Sequence, residues 1–337
     1  YGGAANLAAL HDFLSDTILL TGHGFAPPVE APEWGVLERT QPARAASGPT
    51  VAILYYRAHH MAGNTAFVEA LCQAIEAQGA TPLPIFTASL RRTSPELLAE
   101  LRKADALVVT VLAAGGTQPA TAGAGGDDEA WDVGVLAELD VPILQALCLT
   151  SSRAAWAESD DGLSPLDAAT QVAIPEFDGR IITVPFSFKE IDPDGLSVYV
   201  ADPERAARVA GIVVRHARLR HIPPAERRIV IMLSAYPTKH SRIGNAVGLD
   251  TPASTVRLLA ALKEAGYRIG EFDRYDGDGL IHALIAAGGQ DPDWLTDDQL
   301  AGNPVRINGE GYARWFATLP GELRAKMEEH WGPPPGE

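Results

Sequence analysis

The loop Tyr236–Ser254, reading YPTKHSRIGNAVGLDTPAS, gathers a phenol, an ammonium, an imidazole, a guanidinium, an amide and a carboxylate. Arg242 and Lys239 suit the carboxylates of an anionic ligand, Arg through a planar fork and Lys as a point charge. Tyr236 and Asn245 add hydrogen-bonding groups to the same loop. A structural reading stands beside this one: Gly244 and Gly248 turn the chain, and Asn245 and Asp250 tie backbone. Plain connections in α/β units run about 2–6 residues, so a loop of this length favours substrate contact for Tyr236, Lys239, Arg242 and Asn245. Capping of the helix that follows explains Asp250 and Thr251.

A second stretch, Arg57–Thr65 (RAHHMAGNT), holds the equivalent place after an earlier apolar strand. Arg57 joins the candidate substrate contacts. His59 and His60 are adjacent, so on a strand they face opposite ways and do not share one metal. His59 alone can serve as a weak axial metal ligand or as a proton acceptor; the plainer reading is a hydrogen-bonded loop histidine. Gly63, Asn64 and Thr65 read as turn and cap. Asp127, Asp128, Glu129 and Asp132 offer oxygen ligands to a hard cation, but a solvated acidic helix start is the preferred reading. The chain has no GxGxxG, no GxxxxGK[ST] and no GxSxG, so neither a nucleotide site nor a hydrolase triad has an anchor.

The elements that must position these groups alternate between strand and helix patterns. Residues 1–49 hold one helical interval, Asn6–Leu20 with Leu7, Leu10, Leu14 and Ile18, then a Gly/Pro connector, TGHGFAPPVEAP. Val51–Tyr56, Leu83–Phe86, Ala106–Val111, Pro142–Leu147 and Ile181–Phe186 read as strands, several of them continuous apolar runs of the kind parallel sheets bury on both faces. Thr65–Gln78, Pro95–Lys103, Trp131–Leu139 and Leu166–Ile174 read as helices, and Ala113–Asp128 as a long Gly-rich loop. Asp202 and Pro203 open a helix over Pro203–His221. A further strand, Arg228–Ala235, leads into the polar loop, and Thr251–Gly266 follows as a helix. The expected fold is α/β: two Rossmann-like or flavodoxin-like lobes with mainly parallel sheets, preceded by a short helical segment. The expected boundaries are 1–49 for that segment and connector, 50–200 for the first lobe, 201–224 for a linking helix and 225–337 for a second lobe truncated at its C-terminus.

Composition narrows the partners. A formal net charge of −16 over 337 residues repels phosphate backbones and anionic lipid, which argues against nucleic-acid and membrane binding. No apolar run reaches the roughly 18 residues a membrane span needs, and no signal peptide is visible, so a cytoplasmic location is expected. The two cysteines, Cys72 and Cys148, lack CxxC partners and read as buried free thiols. The opening Tyr1 and the closing WGPPPGE suggest a portion of a longer protein.

Several stretches resemble one family closely. YPTKHSRIGNAVGLDTPAS is the most specific; Phe13–Pro28, Ile53–Thr65, Leu166–Glu176, Ala201–Arg218, Arg228–Gly266 and His330–Glu337 (HWGPPPGE) carry the likeness along nearly the whole chain. They resemble the large subunit of cobaltochelatase, the CobN type, in the CobN/magnesium chelatase H-subunit family. The magnesium chelatase H-type subunit resembles the RIGN and GLDTPAS wording less well. The resemblance implies an ATP-dependent chelatase complex that inserts Co²⁺ into hydrogenobyrinic acid a,c-diamide in cobalamin biosynthesis. Co²⁺ is there the substrate metal, and ATP is hydrolysed by AAA+ ATPase and adaptor partner subunits rather than bound by this chain. Residue type and loop position, not the resemblance, nominate Arg242, Lys239, Asn245, Tyr236 and Arg57 for the substrate and His59 for metal or proton. Family members are much longer, so this chain by itself is expected to be catalytically incomplete. The rival readings are a non-catalytic scaffold or docking module of the complex and, further behind, a small-ligand receptor of two lobes.

Overall fold

The computed structural model describes residues 1–39, 48–90, 93–111, 134–235, 242–271, 274–288, 296–302 and 306–334. They divide into two units, Tyr1–Ile222 and Pro223–Glu337. The first is built on a sheet of seven strands: β1 (Trp34–Val36), β2 (Thr50–Tyr56), β3 (Thr81–Thr87), β4 (Ala106–Val109), β5 (Ile143–Leu149), β6 (Ile181–Ile191) and β7 (Ser197–Ala201), in the spatial order β1-β3-β2-β4-β5-β6-β7. The five inner strands are parallel, and β1 and β7 close the two edges antiparallel. Numbered among themselves, the parallel strands run 2-1-3-4-5, the doubly wound flavodoxin-like order.

The helices of this unit are α1 (Ala4–Ile18), α2 (Arg57–Met61), α3 (Ala66–Ala77), α4 (Pro95–Leu101), α5 (Arg153–Glu158), α6 (Pro165–Asp167), α7 (Ile174–Phe177) and α8 (Pro203–Leu219). A π-helical turn, Ala168–Ala173, joins α6 to α7. The β2 sequence TVAILYY is apolar at every core position because both its faces are covered. Val51, Ile53 and Tyr55 meet Phe67, Leu71 and Ile75 of α3 and Val209 and Val213 of α8. Ala52 and Leu54 meet Leu97 and Leu101 of α4 together with Leu136 and Leu139. Gly79 stops α3 at φ 76°, where a Cβ is unfavourable. Asp202 caps α8 by accepting from Arg205 N at 3.1 Å, with Pro203 at the first helical position. The helix expected to link two lobes instead packs inside the first unit, because its Val209–Val213–Ala217 stripe is buried against the sheet.

The second unit contains α9 (Thr251–Glu264), α10 (Gly277–Ala287), α11 (Asp297–Gly302), α12 (Gly309–Ala317) and α13 (Gly321–Trp331). The chain is α/β as expected, but the one sheet among the described residues lies entirely in the first unit. Among the described residues the second unit has no strand. Its β-bridges are isolated, pairing Ala235 with Ile243 and Ala246 with Leu249. The strand expected over Arg228–Ala235 is therefore corrected: the segment is irregular, because a strand exists only through its partners and none lies alongside among the described residues. Leu280 and Phe316 are the buried hydrophobic residues described here, against a dense core in the first unit.

Candidate functional site

In a doubly wound sheet, ligands bind outside the carboxyl ends of the strands where the winding reverses. That point lies between β2 and β4, whose carboxyl ends deliver the Arg57–Asn64 loop and Thr110–Val111. The loop is not extended, so the two histidines do not face opposite ways as on a strand. Arg57–Met61 forms α2, closed by Gly63 N donating to His60 O at 3.1 Å and Asn64 N donating to His59 O at 2.9 Å. Gly63 takes φ 69°, the turn position it was expected to hold. Thr65 sits at the N-cap of α3 without a side-chain capping bond. Asn64 instead fastens the loop to the sheet edge, its Oδ1 accepting from Tyr199 N at 3.0 Å.

Each histidine enters its own aromatic surroundings. His59 stands edge-on to Phe67 and Tyr199, with ring centroids 5.4 and 5.2 Å away. His60 stacks on Phe86 at 3.9 Å and 11°, and its Nδ1 lies 3.3 Å from the hydroxyl of fully buried Tyr55. Burial pushes both imidazoles below the ordinary histidine range and holds them neutral near pH 7. A neutral imidazole can accept a proton or donate a lone pair to a metal. No group of three or more His, Cys, Asp or Glu side chains able to hold a metal occurs among the described residues.

Arg57 opens α2, and its Nη1 donates to the Glu33 carboxylate at 2.9 Å and to Pro32 O at 3.4 Å. Part of its guanidinium is thus committed within the chain, while 31% of the side chain stays exposed.

The second candidate loop belongs to the other unit. Tyr236 and Lys239 lie outside the described residues. The described half folds back on the chain that enters it, with Ile243 bridged to Ala235 and Gly244 N donating to Ser234 O at 2.8 Å. Gly244 is required here: φ is 67° and a Cβ would come within 3.0 Å of Thr251 Cγ2. Asn245 N donates to Arg242 O at 3.1 Å, which leaves both side chains exposed. Asp250, as expected, is a cap: its Oδ1 accepts from Ala253 N at 3.0 Å at the start of α9. His59 and Arg57 therefore share one loop, and Arg242 and Asn245 share another. Asp127, Asp128, Glu129 and Asp132 lie outside the described residues.

A polar cluster that sequence reasoning missed crosses the buried face of β5 and β6. Arg180, with a fully buried side chain, donates from Nη2 to Asp178 at 2.6 Å and from Nη1 to Val111 O at 2.6 Å and Gln145 Oε1 at 2.7 Å. Gln145 Nε2 in turn donates to Gln171 Oε1 at 3.3 Å, on the π-helical turn. Buried Asp167 accepts from Thr150 Oγ1 at 3.1 Å and Ser164 Oγ at 2.9 Å. Burial pushes Arg180 down from the ordinary arginine range while the Asp178 charge opposes that shift. The visible signal was Gln145 itself, an amide inside the apolar strand ILQALCL, since a buried amide demands partners. Arg180 anchors the carboxyl end of β4 beside the crevice.

The family model described as CobN/Magnesium Chelatase matches residues 1–337. The aerobic cobaltochelatase subunit CobN of Pseudomonas aeruginosa is 34% identical over 350 residues, covering 99% of this chain and 27% of the relative. The H-type magnesium-chelatase subunit of Rhodobacter capsulatus is 29% identical over 340 residues, covering 93% and 27%. Among solved structures, the catalytic subunit of cobaltochelatase from Mycobacterium tuberculosis is 61% identical with a TM-score of 0.85, covering all of this chain and 27% of its own. The chain thus spans about a quarter of the length of these relatives. With its whole length matched, the chain belongs to the CobN/Magnesium Chelatase family.

Proposed function

We propose that this chain forms part of the tetrapyrrole-handling large subunit of a cobaltochelatase, which inserts Co²⁺ into hydrogenobyrinic acid a,c-diamide while AAA+ and adaptor subunits hydrolyse ATP, in the cytoplasm. One observation carries the reading: the 61% identity to the cobaltochelatase catalytic subunit, sustained over the whole chain at a TM-score of 0.85. The magnesium-specific reading has less support, with the R. capsulatus magnesium-chelatase relative at 29% against 34% for CobN.

The division of labour follows from the chemistry. Arg242, Lys239, Asn245 and Tyr236 hold the peripheral carboxylates and amides of the macrocycle, with Arg57 as a further contact. An inner N–H proton must leave as the metal enters, and His59, kept neutral by burial, is its acceptor or a transient lone-pair donor to the ion. One imidazole does not complete a coordination sphere, and a quarter of the relatives' length does not complete a cavity. Binding without turnover is the expected behaviour of this chain.

The test is a quenching titration of its six tryptophans with the diamide, repeated on Arg242→Ala. Saturable binding in the micromolar range that weakens about 10-fold in the variant, the loss of one charge-assisted contact, supports the assignment. Absence of binding by a folded sample moves the macrocycle site to the part of the large subunit beyond this chain and leaves the chain a scaffold.

A further inference from the structure

The most apolar run of the second unit is also among its least covered segments. Along Ile229–Leu233, Ile229 is 51% exposed, Val230 84%, Ile231 37% and Met232 86%. The exposures alternate as in an extended chain. Ile229, Ile231 and Leu233 lean toward Leu259 and Leu262 of α9 and Leu284 of α10, lining an open apolar hollow of about 300 Å³, while Val230 and Met232 point away. Residues 229–233 make no backbone hydrogen bond among the described residues. Among those residues, both edges of the segment and one of its faces are thus bare.

A run apolar at every position is the mark of a strand interior to a parallel sheet, with strands on both sides and helices above and below. The first unit shows the finished form: TVAILYY of β2 lies between β3 and β4 and is covered on both faces. The second unit repeats the pattern, apolar run, polar loop and capped helix, without the neighbours. Its own next stretch after the helix, Tyr267–Ile269, lines the same hollow and pairs with no strand among the described residues. A second copy pairing edge to edge would cover one row of N–H and C=O groups and leave the other edge and the hollow open. The occupant that fits both edges and both faces is more polypeptide of the same subunit, and the relatives carry that length, since this chain matches 27% of theirs.

We infer that Ile229–Leu233 is an interior strand of a second parallel sheet, completed by β-strands from the part of the large subunit that lies beyond this chain. Strand addition supplies the backbone partners, and the hollow takes the side chains of the incoming layer.

Amide hydrogen exchange tests this on two proteins: the chain itself, and a continuous polypeptide in which this chain replaces the segment it matches in the full M. tuberculosis subunit. Amides 229–233 are expected to exchange at near-unprotected rates in the chain and at least about 100-fold more slowly in the continuous polypeptide, with β2 equally slow in both. Unchanged rates overturn the inference. So does slow exchange in the short chain: if independent of concentration it means pairing within the chain, and if concentration-dependent it means a second copy. In the continuous polypeptide Met232→Glu should restore fast exchange at 229–233, and persistence of slow exchange with the charge in place overturns the burial of that face.

Discussion

Two stretches of nearly the same pattern meet different fates. In the first unit TVAILYY leads into RAHHMAGN and then α3, and the strand lies between two neighbours with Val51–Tyr55 buried. In the second unit RRIVIML leads into the YPTKHSRIGN loop and then α9, and the apolar run lies open with no described strand beside it. Local sequence writes the same instruction twice: apolar run, polar loop, N-cap, amphipathic helix. Among the described residues only the first unit holds further strands to carry it out. A helix closes its hydrogen bonds within itself, so α9 forms as read. A strand borrows them, so the run before it does not.

The comparison can be broken where the two units differ most in burial. The largest effect is expected at the buried polar cluster. Arg180→Ala leaves Asp178 and the Gln145 amide stranded in the first unit and should cost about 3–5 kcal/mol in urea unfolding. A loss under about 1 kcal/mol would mean that water or backbone movement replaces the guanidinium. Next, Leu54→Ala in β2 should cost about 2–5 kcal/mol, since Leu54 is fully buried in the sheet core.

The Asp250 cap tests whether α9 is as well formed as any helix of the first unit: Asp250→Ala should lower stability by about 1 kcal/mol. Acidification bears on the first unit through its buried imidazole. His59 has a folded-state pKa below its ordinary value, so well above about pH 6.5 neither folded nor unfolded form is protonated and the group contributes nothing. As pH falls through about 6.5 the unfolded chain binds the proton first, and stability is lost until the folded pKa is passed. Denaturation midpoints of the first unit between pH 7.5 and 5 should fall, and His59→Phe should flatten part of that slope; an unaltered slope would show that burial does not perturb this imidazole. The smallest effect is expected at the bare run, where Met232→Ala should change the stability of this chain by less than about 0.5 kcal/mol.

Much of the first unit was legible residue by residue. The Phe67–Leu71–Ile75 stripe, the Gly79 stop and the Asp202–Pro203 start each state a local geometry, and the structure has them in place. The edge strands were not legible. Trp34–Val36 is too short to show a period, and Ser197–Ala201 follows β6 through a turn in which Asp192 Oδ1 accepts from Leu196 N at 2.8 Å. Of the site, the residue types could be named, but not their surroundings. His59 lies among Phe67 and Tyr199, residues 8 and 140 positions along the chain, and Arg57 is held by Glu33 from upstream.

By itself the sequence determined the α/β alternation, helices such as α3, α8 and α9 with their starts and stops, and family membership, because these rest on near-neighbour periodicity and on wording that survives in one line of text. Tertiary structure alone decided which apolar run becomes a strand, that the helix after Asp202 serves the core instead of linking lobes, and that Arg180, Asp178, Gln145 and Gln171 close one buried network. Those outcomes depend on partners distant along the chain: backbone edges, buried charges and imidazole protonation are settled by whatever packs against them, and periodicity contains no record of that.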